Sequence, residues 1–337
     1  MSTSRFISKQ IDKASRLKPH KPNSPLTMAT PLTKPLVIPG HPSSSVPRLI
    51  YGTAWKKDKT GFLTNLALTT GFRAIDTAAQ PRHYVEDDVA SALLLARDQN
   101  VISRSDVFLQ TKYSPPGAQD LKTAPYDTSA SIEEQVKTSV EKSLKKFTLG
   151  GEEGGEGYID CLLLHSPLPL LEETIEAWTA MASFVPDRVR HLGISNVSLP
   201  ELQALCDTHG SGATLPKPAI VQNRLHEAHY EPELYEFCRQ HGIIFEAFWT
   251  LSANPGLRGS APVARVADAV GVSTEVAFYG LLLGFENFAV LNGTTSQKHM
   301  KEDLEGLEKV GAWVDGEGKN TWVECLREFK GLMGCQL

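Results

Sequence analysis

The 337-residue sequence predicts an α/β fold, a (β/α)8 TIM barrel plugged by an N-terminal β-hairpin and followed by a C-terminal helix. Three observations predict it. Strand and helix signals alternate through eight units in one domain, residues 35–337. The strands read as continuous apolar runs, as strands covered on both faces of a parallel sheet must, without the alternation of a half-exposed sheet. No GxGxxG follows the first strand, which counts against an open dinucleotide-binding sheet.

In order, Pro35 to Pro47 reads as a short strand, a Pro/Gly/Ser turn and a return, hence the hairpin. Leu49–Thr53 is strand, Gly61–Thr70 helix and Arg73–Asp76 strand, with Phe72 opening the buried run. Val85–Asp98 is helix, because Val89, Leu93 and Ala96 fall at helical spacing and acids fill the first turn, where the helix dipole favours them. Val107–Tyr113 is strand, and Ser131–Phe147 a long helix opened by Ser and two glutamates. After the loop Gly150–Gly157 come strand Tyr158–Leu164, helix Leu171–Phe184, strand His191–Ser195 and helix Pro200–His209. Strands Ala219–Asn223 and Ile243–Phe248 flank the helix Pro232–His241. The helical pair Val263–Val270 and Thr274–Phe285 precedes the strand Phe288–Leu291, the helix Gln297–Val310 and a capping helix Thr321–Met333.

A formal charge of -5, scattered along the body, gives no reason to expect nucleic acid as a partner. No apolar run reaches the length that crosses a bilayer. Five cysteines, Cys161, Cys206, Cys238, Cys325 and Cys335, form no CxxC pattern. That fits a reducing compartment, argues against a structural zinc site and gives a cytoplasmic expectation. Cys161, inside an apolar strand, is expected in the core. Residues 1–34 differ, being rich in Ser, Pro, Lys and Arg. They read either as a disordered tail, with Met28 as an alternative start, or as a basic amphipathic presequence built on Arg5, Lys9, Lys13 and Arg16, which would imply a mitochondrial location.

The strand ends carry the chemistry. In a parallel barrel the C-terminal rim is where active sites are built. Here that rim collects Gly52 and Thr53, Asp76 with Tyr84 in the next loop, Lys112, His165, Ser195 and Asn196, Gln222 and Phe248. Singly each has a bland explanation, a solvated strand end or a satisfied core histidine. Four titratable groups of four types on one rim must be paired or used. A tyrosine hydroxyl can protonate a developing alkoxide, but its ordinary pKa, about 10, calls for help near neutrality. The Lys112 ammonium is expected to lower that pKa, Asp76 to hold the lysine charged, and His165 to hydrogen-bond the carbonyl oxygen.

On these residues the sequence resembles the aldo-keto reductase superfamily, from about Val37 to Lys309. The motifs are GFRAIDTA ending in Asp76, LQTK giving Lys112, LLLHSP giving His165, GISN giving Ser195 and Asn196, and VQN giving Gln222. The resemblance implies reduction of aldehydes and ketones with NADPH by a tetrad of Asp76, Tyr84, Lys112 and His165. It places Gly52, Thr53 and Ala54 at the nicotinamide ribose, and Ser195, Asn196 and Gln222 at the carboxamide. Phe248 would stack on the nicotinamide where the family usually has tyrosine, a mild change because stacking needs only the π-face. Trp249 and Leu251 fall where the family covers the pyrophosphate. Trp55 reads as the aromatic wall of the substrate pocket, with a buried structural indole as the alternative.

Three departures matter. The family's Asp and Tyr are spaced DxxxxY, whereas the loop from Asp76 to Tyr84 is longer by three residues, and Pro81 is expected to shape it. The family's phosphate-binding IPKS and following Arg read NGTTSQKH here. Gly293 stands for the lysine, Thr294 for the serine and His299 for the arginine, with Lys298 as a compensating cation and Glu302 and Asp303 at adenine-contacting positions. NADPH preference is therefore expected to be weaker, with NADH an alternative. The loop after Phe248 lacks the family's serine-proline start, which leaves its closure over the cofactor open.

The expected function is carbonyl reduction on a small molecule by a monomer or homodimer. The alternatives are a non-catalytic NADP-binding regulatory subunit on the same barrel and a metal-dependent hydrolase, for which only His165 and Asp76 offer ligands. Loops Tyr113–Ala130 and Arg224–Glu231 and the C-terminal segment would set the substrate, which the sequence does not name.

Overall fold

The computed structural model describes residues 31–148, 157–208 and 215–335. The N-terminal tail to residue 30, most of the Gly/Glu-rich loop and His209 lie outside them. Strands β1 (Leu36–Ile38) and β2 (His41–Val46) form an antiparallel hairpin. Its inward residues Leu36, Ile38 and Val46 meet Phe108, Ile220 and Ile244, which begin three of the barrel strands, so the hairpin stoppers the N-terminal end.

Eight parallel strands follow: β3 (Leu49–Gly52), β4 (Ala74–Asp76), β5 (Phe108–Tyr113), β6 (Ile159–Leu164), β7 (Val189–Ser195), β8 (Ile220–Arg224), β9 (Ile244–Phe248) and β10 (Phe288–Asn292). Each pairs with its successor and β10 pairs with β3, which closes the barrel. Helices cover the outside, and the main core lies between them and the strands: Leu109, Leu162, Leu164, Ile194 and Val221 face Val140, Trp178 and Leu202. Cys161 is fully buried inside the barrel with Leu163 and Ala289.

Local sequence explains the ends. The helix Ile132–Lys146 begins where the Ser131 hydroxyl accepts the Glu134 amide at 3.3 Å, has Glu133 and Glu134 in its first turn and ends on Lys145 and Lys146. Two elements near the cleft differ most from expectation. The helix Gln297–Asp315 runs past Val310, because Trp313 and Val314 still find apolar partners. The loop after β9 contains a short helix, Pro255–Arg258, preceded by Asn254, whose buried amide donates to the Leu225 and Thr250 carbonyls at 2.8 and 2.7 Å. The final helix, Lys319–Leu332, buries Trp322, Cys325 and Phe329.

Candidate active site

The C-terminal ends of the strands open into a cleft of about 910 Å³. Tyr84, His165, Ser195, Asn196, Gln222 and Phe248 line it, and Asp76 forms part of its floor. Lys112 lies just beneath, 1% exposed, its Nζ 2.5 Å from Asp76 Oδ1 and 3.0 Å from the Thr77 carbonyl.

The lengthened loop brings Tyr84 back by two devices. Beyond β4 the chain keeps to the parallel ladder, with the Thr77 and Ala79 amides donating to the Gln110 and Lys112 carbonyls, each at 3.0 Å. It then turns tightly, His83 and Tyr84 both donating to the Gln80 carbonyl at 3.0 Å, with Pro81 inside the turn. The Gln80 side chain is pinned to the Ala118 carbonyl at 2.6 Å. Three extra residues are thus absorbed without moving the phenol from the rim. Lys112 Nζ stands 5.3 Å from the Tyr84 ring centre, and the Tyr84 and His165 rings meet edge to face at 5.9 Å.

The electrostatics refine one expectation. Burial raises the Tyr84 phenol pKa, and Lys112 opposes that rise without reversing it, so the free protein holds tyrosine in its acid form. Burial works against the Lys112 charge, and the Asp76 carboxylate, by its charge and its hydrogen bond, leads the groups that outweigh it and keep the ammonium protonated. His165 is pushed down to about 3 by burial and by the Lys112 charge, and is therefore neutral. Its Nδ1 lies 2.6 Å from the Ser114 hydroxyl. With that hydroxyl donating, the ring N–H sits at Nε2, where it can donate a hydrogen bond to a carbonyl oxygen.

Ser195 Oγ donates to the Gln222 carbonyl at 2.6 Å, and Asn196 Nδ2 donates to the His165 carbonyl at 2.9 Å. Trp55, Asn196 and Trp249, which follow β3, β7 and β9, all adopt the left-handed backbone region, with φ of 62°, 54° and 58°. Such conformations cost of order 1 kcal/mol or more for non-glycine residues and gather where a site must be shaped. Trp55 is 58% exposed and lies against the His83 ring, tilted by 35° with ring centres 3.7 Å apart, which excludes the buried-indole alternative. Trp249 carries the Arg224 guanidinium over its ring at 4.0 Å.

Gly52, Ala54, Trp55, Trp249 and Leu251 also line the cleft, as do Thr294, His299, Glu302 and Asp303 at its far end. Two residues expected at the cofactor do not. Thr53 is fully buried, its hydroxyl donating to the Asp76 carbonyl at 2.8 Å, so it braces the acid instead. Lys298 is turned outward, 79% exposed at its side chain, with Nζ 3.6 Å from Glu302. Four groups escaped sequence reasoning. Ser114 stands one residue past a strand, and Lys56, at the cleft wall, donates to the Gly293 carbonyl. Gln110 and Glu246 sit inside the barrel and hydrogen-bond one another. Glu246 could have been noticed as the one charge in the strand IFEAF.

With this geometry in view, the comparisons decide the family. The Aldo/keto reductase family model matches residues 50–260. The chain belongs to that family. It is therefore an oxidoreductase built on the family's barrel. It is 28% identical over 285 residues to an NAD/NADP-dependent indole-3-acetaldehyde reductase of Schizosaccharomyces pombe, covering 78% of this chain and 86% of that protein. Methylglyoxal reductase DkgA of Escherichia coli is 27% identical over 244 residues, 71% of this chain and 76% of that one. Among solved structures, an aldo/keto reductase from Brucella melitensis superposes with a TM-score of 0.64 at 23% identity, over 83% of this chain and 99% of its own. An aldo-keto reductase complexed with NADPH gives 0.63 at 16% identity, over 83% and 88%.

Proposed function

We propose that the protein reduces an aldehyde or ketone with a nicotinamide cofactor, NADPH or NADH, and that Tyr84 is the proton donor. The observation that carries this reading is Lys112, held by Asp76 at 2.5 Å under the Tyr84 ring, with neutral His165 beside it on the same cleft. Bound nicotinamide would supply the hydride. The chain supplies the rest. The Tyr84 phenol gives its proton to the oxygen as charge develops there, the Lys112 ammonium stabilises the phenolate left behind, and His165 Nε2–H orients the carbonyl.

The residues present fit such a cofactor. Phe248 offers a ring face at the inner end of the cleft, and Gln222, Ser195 and Asn196 offer amide and hydroxyl groups there. At the adenosine end Glu275, Glu302 and Asp303 outnumber His299, which suits a 2′,3′-diol better than a 2′-phosphate. NADPH is accordingly favoured less than the resemblance implies. The relatives' substrates, indole-3-acetaldehyde and methylglyoxal, make aldehydes the first class to screen.

The test is oxidation of NADH and NADPH in the presence of a panel of aldehydes and ketones. Carbonyl-dependent turnover supports the reading; tight cofactor binding with no turnover on any carbonyl refutes it and favours a regulatory barrel.

A further inference from the structure

Beneath the cleft the barrel holds a second carboxylate. Glu246, on β9, is fully buried, and its Oε2 accepts the side-chain amides of Gln110 and Gln222, each at 2.8 Å. The same two nitrogens donate to Asp76 Oδ1 at 2.9 and 3.0 Å. Strand register builds this square, since Asp76 stands directly beside Gln110 and Gln222 directly beside Glu246. Two acids therefore face each other across two shared amides, with Lys112 as the cation between the strands. The other Glu246 oxygen, Oε1, is buried and has no hydrogen-bond partner among the described residues.

We propose that Glu246 is a positioning residue that carries a proton in the working enzyme and sets both the charge beneath Tyr84 and the orientation of Gln222. This rests on the reductase reading above.

Charge balance is the first argument. With Glu246 neutral, the square and Lys112 sum to zero; with it ionised, a net negative charge sits in a dry interior, at high cost. Oε1 is the natural seat of the proton, being the oxygen that no donor stabilises as an anion. Burial and the Asp76 charge push Glu246 up to about 7, against the pull of the two amides and Lys112. The titratable groups facing it are Asp76 from β4, Lys112 from β5 and Cys161 from β6, whose thiol burial keeps protonated. Ala289, its register neighbour on β10, brings no charge.

Geometry is the second. Both hydrogens of Gln222 Nε2 are committed to Asp76 and Glu246, so what this amide offers the cleft is its carbonyl oxygen, an acceptor for the NH2 of a nicotinamide carboxamide. An ionised Glu246 would also oppose the phenolate that forms as Tyr84 gives up its proton. Reduction then slows as Glu246 titrates, by roughly threefold to tenfold for up to one pKa unit of electrostatic cost.

Two measurements test this. The first is the pH profile of kcat with saturating cofactor and aldehyde, for wild type and Glu246→Gln. Wild type should decline between about pH 6 and 8.5, and the variant, permanently neutral, should be flat across that window. A parallel decline in both overturns the proposal while leaving the reductase reading intact. The second needs no turnover: infrared spectra of wild type with glutamate carboxyls isotopically labelled, which separates Glu246 from aspartates such as Asp303. A labelled, protonated carboxyl band at about pH 6 that fades by about pH 8.5 supports the proposal, and its absence at pH 6 overturns it even if no carbonyl is reduced or the variant does not fold.

Discussion

Lys112 is the residue on which the site is balanced, because it is the buried cation that pairs with Asp76 beneath the Tyr84 ring. Replacing it by Met leaves Asp76 buried without its ion pair. A loss of about 3–5 kcal/mol is expected in urea denaturation, together with loss of reduction. Ser114 acts one step further out, through His165. Ser114→Ala removes the hydroxyl hydrogen-bonded to His165 Nδ1, so kcat/KM for carbonyls should fall by roughly fivefold to tenfold, the weight of one hydrogen bond. Cofactor affinity should be unchanged by fluorescence quenching. Asp76, Lys112 and His165 were legible because each closes a distinctive strand-end motif. Gln110 and Glu246 were not, because their roles depend on which strands lie across the barrel from one another, and no single strand carries that information.

At the scale of elements, the loop from Asp76 to Tyr84 shows how a length change can leave a site in place. A DxxxxY spacing is only one way to return a phenol to the rim. Here extra ladder pairs at Thr77 and Ala79 and a turn on the Gln80 carbonyl do the same work. The turn was foreseeable from Pro81, but the ladder extension was not, since its bonds are made to β5. The helix Gln297–Asp315 brings His299, Glu302 and Asp303 to the far end of the cleft, where the proposed cofactor preference is to be tested. Its first turn is capped by the Ser296 hydroxyl, which accepts the His299 amide, and the His299 side chain lines the cleft in place of a guanidinium. His299→Arg should raise NADPH affinity by about tenfold, the value of a charge-assisted bond to phosphate, with little change for NADH. Titration of both cofactors against tryptophan fluorescence checks this. The short helix after β9 left no sequence signal beyond Asn254 and Pro255, which read equally well as a turn.

Across the whole molecule, buried groups of opposite kind set the pH response. Burial pushes His165 down to about 3 and His191 down to about 4, so the unfolded chain, with ordinary histidines, binds more protons below pH 6.5 and stability falls on acidification. Glu246, raised to about 7, and Asp303, raised to about 6, work the other way, since the folded chain holds their protons where the unfolded chain has lost them. Between about pH 5 and 6.5 the two trends oppose each other, and wild type should show a shallow profile of urea midpoints. Glu246→Gln removes one of the opposing groups, so its midpoint should drop more steeply over the same interval. Eight parallel strands, a hairpin stopper and a covering helix were legible because apolar period and strand-end punctuation survive in every unit. The layer of polar side chains inside the barrel was hidden by the same apolar context.

The claim under all of this is that the proton delivered to the carbonyl comes from the Tyr84 phenol. The most direct measurement is a single-turnover experiment, following nicotinamide absorbance after a reactive aldehyde is mixed with preformed cofactor complexes of wild type and Tyr84→Phe. Cofactor affinity in the variant should stay within a few-fold, while the rate of hydride loss drops by roughly 10²–10⁴. A variant that oxidises its bound cofactor at the wild-type rate would contradict the account.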